Sequence, residues 1–205
     1  MGKRQEKLER LIKPYRETSN KIQKLGTGDF NEAQLREITK IYNILGGIQK
    51  APPINYGKYD IVFNDFVLEL DEENHFNRYR LKTLESSIYK QNKGFNISNY
   101  KKYCQNFESK CRAYGKFWTN GSTEKQFGSP GENGNLSKKG SPRWKQRAYY
   151  DFLKDHLPIV SNIPIVRLSV YDEFQGISLD KILSMDIPEK KYGTIIWEEI
   201  VSRIE

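Results

Sequence analysis

Asp60, Glu69, Asp71 and His75 fall close together in the stretch YDIVFNDFVLELDEENH, residues 59–75, and their spacing is that of side chains meant to meet. Two runs of strand-forming residues, Tyr59–Phe63 and Phe66–Leu70, flank the turn-favouring pair Asn64-Asp65, which predicts a two-residue β-hairpin. In that register Phe63 faces Phe66, Val62 faces Val67, Ile61 faces Leu68, and Asp60 lands opposite Glu69. Side chains alternate faces along a strand, so Asp71 shares the face of Glu69. Like charges directly opposite destabilise a sheet, and a cation between them removes the penalty. Oxygen-only donors suit Mg²⁺, with Mn²⁺ as a substitute, rather than zinc. The competing reading of the acids is a solvated edge strand. The surrounding Ile, Val, Leu and Phe residues weigh against it, because a charge in an apolar setting needs a partner.

Asp60 on one strand and Glu69-Leu70-Asp71 on the next resemble the PD-(D/E)XK (restriction-endonuclease-like) nuclease superfamily, whose signature is an acid followed by an acid-x-lysine. Residues 69–75, ELDEENH, are similar to the very-short-patch-repair-like branch. Its pattern is acid-apolar-Asp-Gly-x-x-His, with a later apolar-apolar-Arg strand like Ile163–Leu168 here. Asp71 stands where many members have lysine, and Glu72 replaces the glycine. The resemblance implies catalytic roles for Asp60, Glu69, Asp71 and His75, and a Mg²⁺ held by Asp60, Glu69 and the carbonyl of Leu70. It implies a Mg²⁺-dependent endodeoxyribonuclease acting on double-stranded DNA, either a type II restriction enzyme or a repair or phage-defence nuclease. A homodimer, with two sites for two strands, is the expected assembly. The lysine's positive charge must come from elsewhere, and His75, Lys145 and Arg147 are the candidates. His75 comes first, as general base or phosphate contact, because the branch pattern places a histidine there. Glu37, or Glu32, is the candidate for the upstream helical acid that some members add, against the simpler reading of a surface glutamate. The alternative function is a catalytically inactive nucleic-acid-binding module with a nuclease-like fold, which the missing lysine favours.

The chain has 205 residues and a net charge of +8, unevenly distributed. Between Asn74 and Tyr150, sixteen lysines and arginines stand against four glutamates, and 14 of the 26 aromatic residues lie in the same region. Cations for phosphates interleaved with aromatics for stacking are what a nucleic-acid surface requires, although a lysine-rich solvated face has the same composition. The candidate phosphate contacts are Arg78 and Arg80 after the hairpin, then Lys101, Lys102, Lys110 and Arg112. Lys145 and Arg147 follow on a later helix. Cys104 and Cys111 form neither a zinc pattern nor a disulfide framework, which points to a reducing interior. No apolar stretch approaches a membrane span, and the N-terminus lacks the apolar segment of a signal peptide. A cytoplasmic protein, associated with the nucleoid if bacterial, is expected. No Gly-x-x-x-x-Gly-Lys loop, dinucleotide fingerprint or Gly-x-Ser-x-Gly elbow is present, which argues against ATP use.

These residues need elements to hold them. The pattern predicts one α/β nuclease domain over 1–205, with a mixed central sheet flanked by helices. N-terminal helices occupy 1–50; the second is capped by Asp29 and Glu32, carries Leu35, Ile38, Ile41, Tyr42 and Leu45 inward, and ends at Gly46-Gly47. The hairpin and a following helix occupy 56–93. A basic aromatic insertion spans 94–142, and its glycine-rich part from Thr119 reads as a partly mobile loop with little to pack. Helix, strand and helix complete 143–205, with Pro142 in the first turn of the helix that carries Lys145 and Arg147. His156 reads as an ordinary helix-end residue.

Overall fold

The computed structural model describes residues 2–19, 21–91, 93–113, 118–186 and 190–204. Its elements run α1 (Lys3–Ile12), α2 (Glu32–Ile44), β1 (Ile61–Val62), β2 (Val67–Asp71), α3 (Arg78–Thr83), α4 (Ile97–Asn106), α5 (Glu108–Ala113), α6 (Gly121–Phe127) and α7 (Pro142–Lys154). Then come α8 (Leu157–Ser161), β3 (Ile165–Ser169), β4 (Glu173–Phe174), β5 (Ile177–Ser178), α9 (Leu179–Ser184) and α10 (Lys190–Ile204). The protein is α/β, with a small mixed sheet flanked by helices.

The sheet has the order β1-β2-β3. The hairpin pair is antiparallel, with Ile61 facing Leu68 and Val62 facing Val67, and β3 lies parallel to β2. At the turn, the Phe63 amide donates to the Phe66 carbonyl at 3.0 Å, and the two rings stack at 4.3 Å. The register read from the sequence is therefore the one adopted, because one face of each strand must be apolar and a slip of one residue would invert it.

Alternation along β2 and β3 divides the interior in two. Leu68, Leu70, Val166, Leu168 and Val170 face a core closed by Leu8 and Ile12 of α1, Leu179 and Ile182 of α9, and Ile196 and Ile200 of α10. Val67 and Ile165 face the other core, built from α2, α3, α4 and α7 with an aromatic filling that includes Tyr42, Phe76, Tyr100, Tyr149 and Phe152. Glu69, Asp71 and Arg167 project on this second side, so the polar residues of the sheet lie under α7.

Three sequence expectations change. The cap of α2 is Asn31, whose side chain accepts from the Gln34 amide, while Asp29 closes a short 3₁₀ turn of its own. Two overlapping capping patterns lie within six residues, and the one nearer the apolar stripe starts the helix. The helix expected after the hairpin is broken: α3 is short and lies between 3₁₀ turns at Glu73–His75 and Ser87–Gln91. The glycine-rich stretch is packed rather than loose. Phe127, Leu136 and Trp118 are buried, Trp118 Nε1 donates to the Gly131 carbonyl, and the Gly131 amide donates to the Gly140 carbonyl. A few anchors suffice there because glycines let the backbone itself approach and bond.

Candidate active site

The hairpin places Asp60 and Glu69 as its sequence predicts. The Asp60 amide donates to Glu69 Oε1 at 3.0 Å, and the Leu70 amide donates to Asp60 Oδ2 at 2.9 Å, so each carboxylate is pinned by the opposite strand. Glu69 is 2% exposed. Burial pushes its carboxyl up to about 7, with Asp60 adding to the rise and Lys154 opposing it.

Lys154 ends α7, and its Nζ lies 2.6 Å from Glu69 Oε2 and 2.9 Å from the Lys58 carbonyl. Burial works against the lysine's charge, but Glu69 and Asp60 outweigh it and raise its pKa above the ordinary range. A lysine of the helix therefore stands beside the hairpin acids, where the strand itself carries none. His75, Lys145 and Arg147 are the candidates that sequence offers for this place, and Lys154 is not among them. A signal for it exists: Arg143, Arg147, Asp151 and Lys154 recur at helical spacing and form one polar stripe on α7.

That stripe walls a cavity of about 370 Å³ that contains Asp60, Glu69, Leu70, His75 and Lys154. Arg143 and Arg147 line it, and no carboxylate among the described residues pairs with either. Burial, and then Arg147, lowers the pKa of Arg143. Gln5 of α1 covers one side by donating to the Asp60 carbonyl at 2.5 Å.

His75 bridges the cavity and the interior. Its Nδ1 lies 2.8 Å from Asp151 Oδ2 and 3.1 Å from Asp71 Oδ1, and its Nε2 lies 2.8 Å from Arg147 Nη1. Guanidinium only donates, so Nε2 carries the lone pair and Nδ1 the proton. Burial alone would raise the Asp151 carboxyl, but His75 and Arg167 hold it well below the usual range.

Asp71 lies apart from the cavity. It is 1% exposed, does not line the cavity, and both its oxygens accept from Arg167 Nη1 at 2.8 and 3.0 Å. Arg167 also donates to Asp155 at 2.6 Å, and burial's cost to its charge is outweighed by Asp155, Asp71 and Asp151. The acid of the hairpin motif and the arginine of the later strand are therefore partners. Asp71, His75 and Asp151 each offer a donor atom within 4.8 Å of the others and could hold a metal ion. An ion there would displace the His75 Nδ1 proton and compete with Arg167 for Asp71, whereas Asp60 and Glu69 present oxygens to the open cavity.

The expected phosphate contacts divide. Arg80 is a correction: it is buried, with Nη2 donating to Asp155 at 2.8 Å and Nη1 to Tyr89 at 3.0 Å, and cannot reach a ligand from there. Arg78 is tied to Glu108 by two bonds of 2.7 and 2.9 Å, and Lys101 to Glu85 at 2.8 Å. Lys110 lies over the rings of Phe107 and Tyr171, and Lys102 is exposed. The side chain of Arg112 lies outside the described residues. Lys145 is on the far side of α7 from the cavity, while Arg147 is in it. Glu37 does not join the site; it accepts from Ser86 at 2.7 Å and pairs with Lys40 at 3.4 Å, and Glu32 pairs with Arg36. His156 is buried between Phe30 and Phe152, with Nδ1 2.9 Å from the Phe152 carbonyl, and burial lowers its pKa.

No helix among the described residues is long and apolar enough to cross a membrane. Neither the curated proteins nor the solved structures contain a match to this chain. Residues 40–185, which include every member of the cavity except Gly2 and Gln5, match a family of unknown function (DUF7255), and the chain belongs to that family.

Proposed function

We propose that the protein is a metal-dependent endonuclease that hydrolyses phosphodiester bonds of double-stranded DNA, on a restriction-endonuclease-like core. The observation that carries this reading is the convergence of Asp60, Glu69 and Lys154 in one cavity, with two arginines at its wall that meet no carboxylate among the described residues. An antiparallel hairpin followed by a parallel strand supports the core assignment.

Asp60, Glu69 and the Leu70 carbonyl are the groups that would hold Mg²⁺, and an all-oxygen donor set on opposed strands suits that ion. When bound, Mg²⁺ supplies Lewis-acid stabilisation of the charge that grows on the phosphate. Lys154 stays protonated near neutrality, so it serves as a fixed positive charge toward the reacting phosphate rather than as a base. Arg143 and Arg147 bind phosphate oxygens and orient the strand. His75, its Nδ1–H fixed by Asp151, presents Nε2 toward Arg147 and the cavity, where it can accept a proton once Arg147 turns to phosphate.

The test is plasmid cleavage with and without Mg²⁺ or Mn²⁺. The wild-type chain should cut only with metal. Asp60→Ala and Glu69→Ala should each lower cleavage by on the order of 10²-fold or more, with DNA affinity largely kept, because the cationic surface carries binding. DNA binding without cleavage under both metals would replace this reading with the inactive binding module.

A further inference from the structure

A second cationic cavity, of about 280 Å³, lies across α7 from the first. Lys145 lines it, and Lys154 follows nine residues later on the same helix, so at about 100° per residue the two project from opposite faces. Gly46 at the end of α2, Arg78, Tyr79 and Lys82 of α3, and Lys138 complete the part that matters here.

The charges in this cavity are not balanced. Arg78 is neutralised by Glu108, but no carboxylate among the described residues lies within ion-pair distance of Lys82, Lys138 or Lys145. Lys145 is 7% exposed, and its Nζ makes no hydrogen bond among the described residues. The ammonium lies over the face of Tyr79, 5.8 Å from the ring centroid. Burial, and then Lys82, lowers its pKa. It also occupies the first turn of a thirteen-residue helix that carries no acid in that turn, where the helix dipole disfavours a cation. Room for the ammonium group comes from Gly46, where a Cβ would sit 3.3 Å from Nζ. An ammonium that has lost part of its water and meets no anion is costly, and here several costs fall on the same group.

We propose that this cavity is a phosphate-binding site in which Lys82, Lys138 and Lys145 share one phosphate group distinct from the one at Asp60 and Glu69. Three lysines lining one cavity suit a multiply charged tetrahedral oxyanion better than a single carboxylate. The group belongs either to nucleic acid or to a small phosphate-bearing molecule. The first source rests on the nuclease reading; the phosphate site itself does not.

The full chain, labelled with ¹⁵N, is titrated with inorganic phosphate at constant ionic strength, using chloride as the control. Saturable shifts are expected at the amides of Gly46 and Lys138. Lys145→Gln should abolish them, and the exposed Lys82→Gln should weaken binding about tenfold, the scale of one charge-assisted bond. The Lys82 variant keeps the test open if Lys145→Gln disturbs folding. Absent shifts at Gly46, or undiminished affinity in both variants, would overturn the site. In a second arm, the salt dependence of binding to a short DNA duplex is compared. A slope reduced by about 0.9 in Lys82→Gln assigns the group to nucleic acid. An unchanged slope with lost phosphate binding assigns it to a small molecule. Failure of plasmid cleavage would leave the phosphate titration untouched.

Discussion

Lys154 and Glu69 touch at 2.6 Å although they are 85 residues apart in sequence, and that separation explains what sequence could and could not reveal. Asp60 and Glu69 were legible because hairpin register is local arithmetic: once Phe63 faces Phe66, every outer pair follows. A helix that crosses the sheet can bring any of its stripes to the acids, so the lysine's position depends on long-range packing. The pairing of Asp71 is hidden for the same reason. Its partner Arg167 lies 96 residues away, and only the parallel pairing of β2 with β3 brings the two together. The assignment of Lys154 predicts that Lys154→Met, which keeps the stem but removes the charge, slows single-turnover cleavage by about 10²-fold or more while leaving duplex affinity nearly unchanged. Full activity in this variant would return the role to Arg147 or His75.

At the level of elements, α7 does two jobs: its Arg143–Lys154 stripe walls the cavity of Asp60 and Glu69, and its apolar residues Ala148, Tyr149 and Phe152 fill the core. Its existence was legible from Pro142 and the residues that follow. What precedes it was not. The glycine-rich stretch looks unable to pack because its composition offers few apolar side chains, yet its contacts are made largely by backbone and by Tyr79. The Tyr79 hydroxyl donates to the Leu136 carbonyl and accepts from the Ser141 amide, which sets the start of α7 against α3. Gly140, at φ 57°, lies against that hydroxyl, and a Cβ there would overlap it. Gly140→Ala should therefore cost about 2 kcal/mol or more, combining left-handed strain with displacement of Tyr79. Gly134→Ala, at φ 81° with nothing within 4 Å of its Cβ, carries the strain alone and should cost less. Urea unfolding of both variants checks this, and equal losses would mean that Tyr79 has room to move.

Across the whole molecule, the sheet separates a mainly aliphatic core under α1, α9 and α10, with Phe63, Phe66, Phe174 and Tyr192 as its aromatic members, from a more aromatic one under α7, and it is the second that admits charge. Most of that charge is internally satisfied: Asp71 and Asp155 meet Arg167 and Arg80, and Asp151 lies within hydrogen-bond distance of His75. Asp60 and Glu69 share one cation in direct contact, Lys154, while Arg143 and Arg147 stand farther along the cavity wall. A divalent cation that binds there should stabilise the folded chain, since anything that binds only the folded state does so by mass action. The size of the effect depends on pH through Glu69. Its folded pKa, about 7, stands above its ordinary value of 4.5, so between these values the folded protein holds the proton that the unfolded chain has released. In the metal-free protein this makes stability fall as pH rises through that window. The same proton competes with the cation, so metal binding strengthens as pH rises through about 7. Thermal unfolding should accordingly show a Mn²⁺-induced rise in Tm that is small at about pH 5.5 and large at about pH 8, because only above about 7 is the carboxylate free. Glu69→Gln should remove both the metal-induced rise and its pH dependence. A rise that is equal at the two pH values, or that survives in Glu69→Gln and disappears in His75→Ala, would move the cation to Asp71, His75 and Asp151.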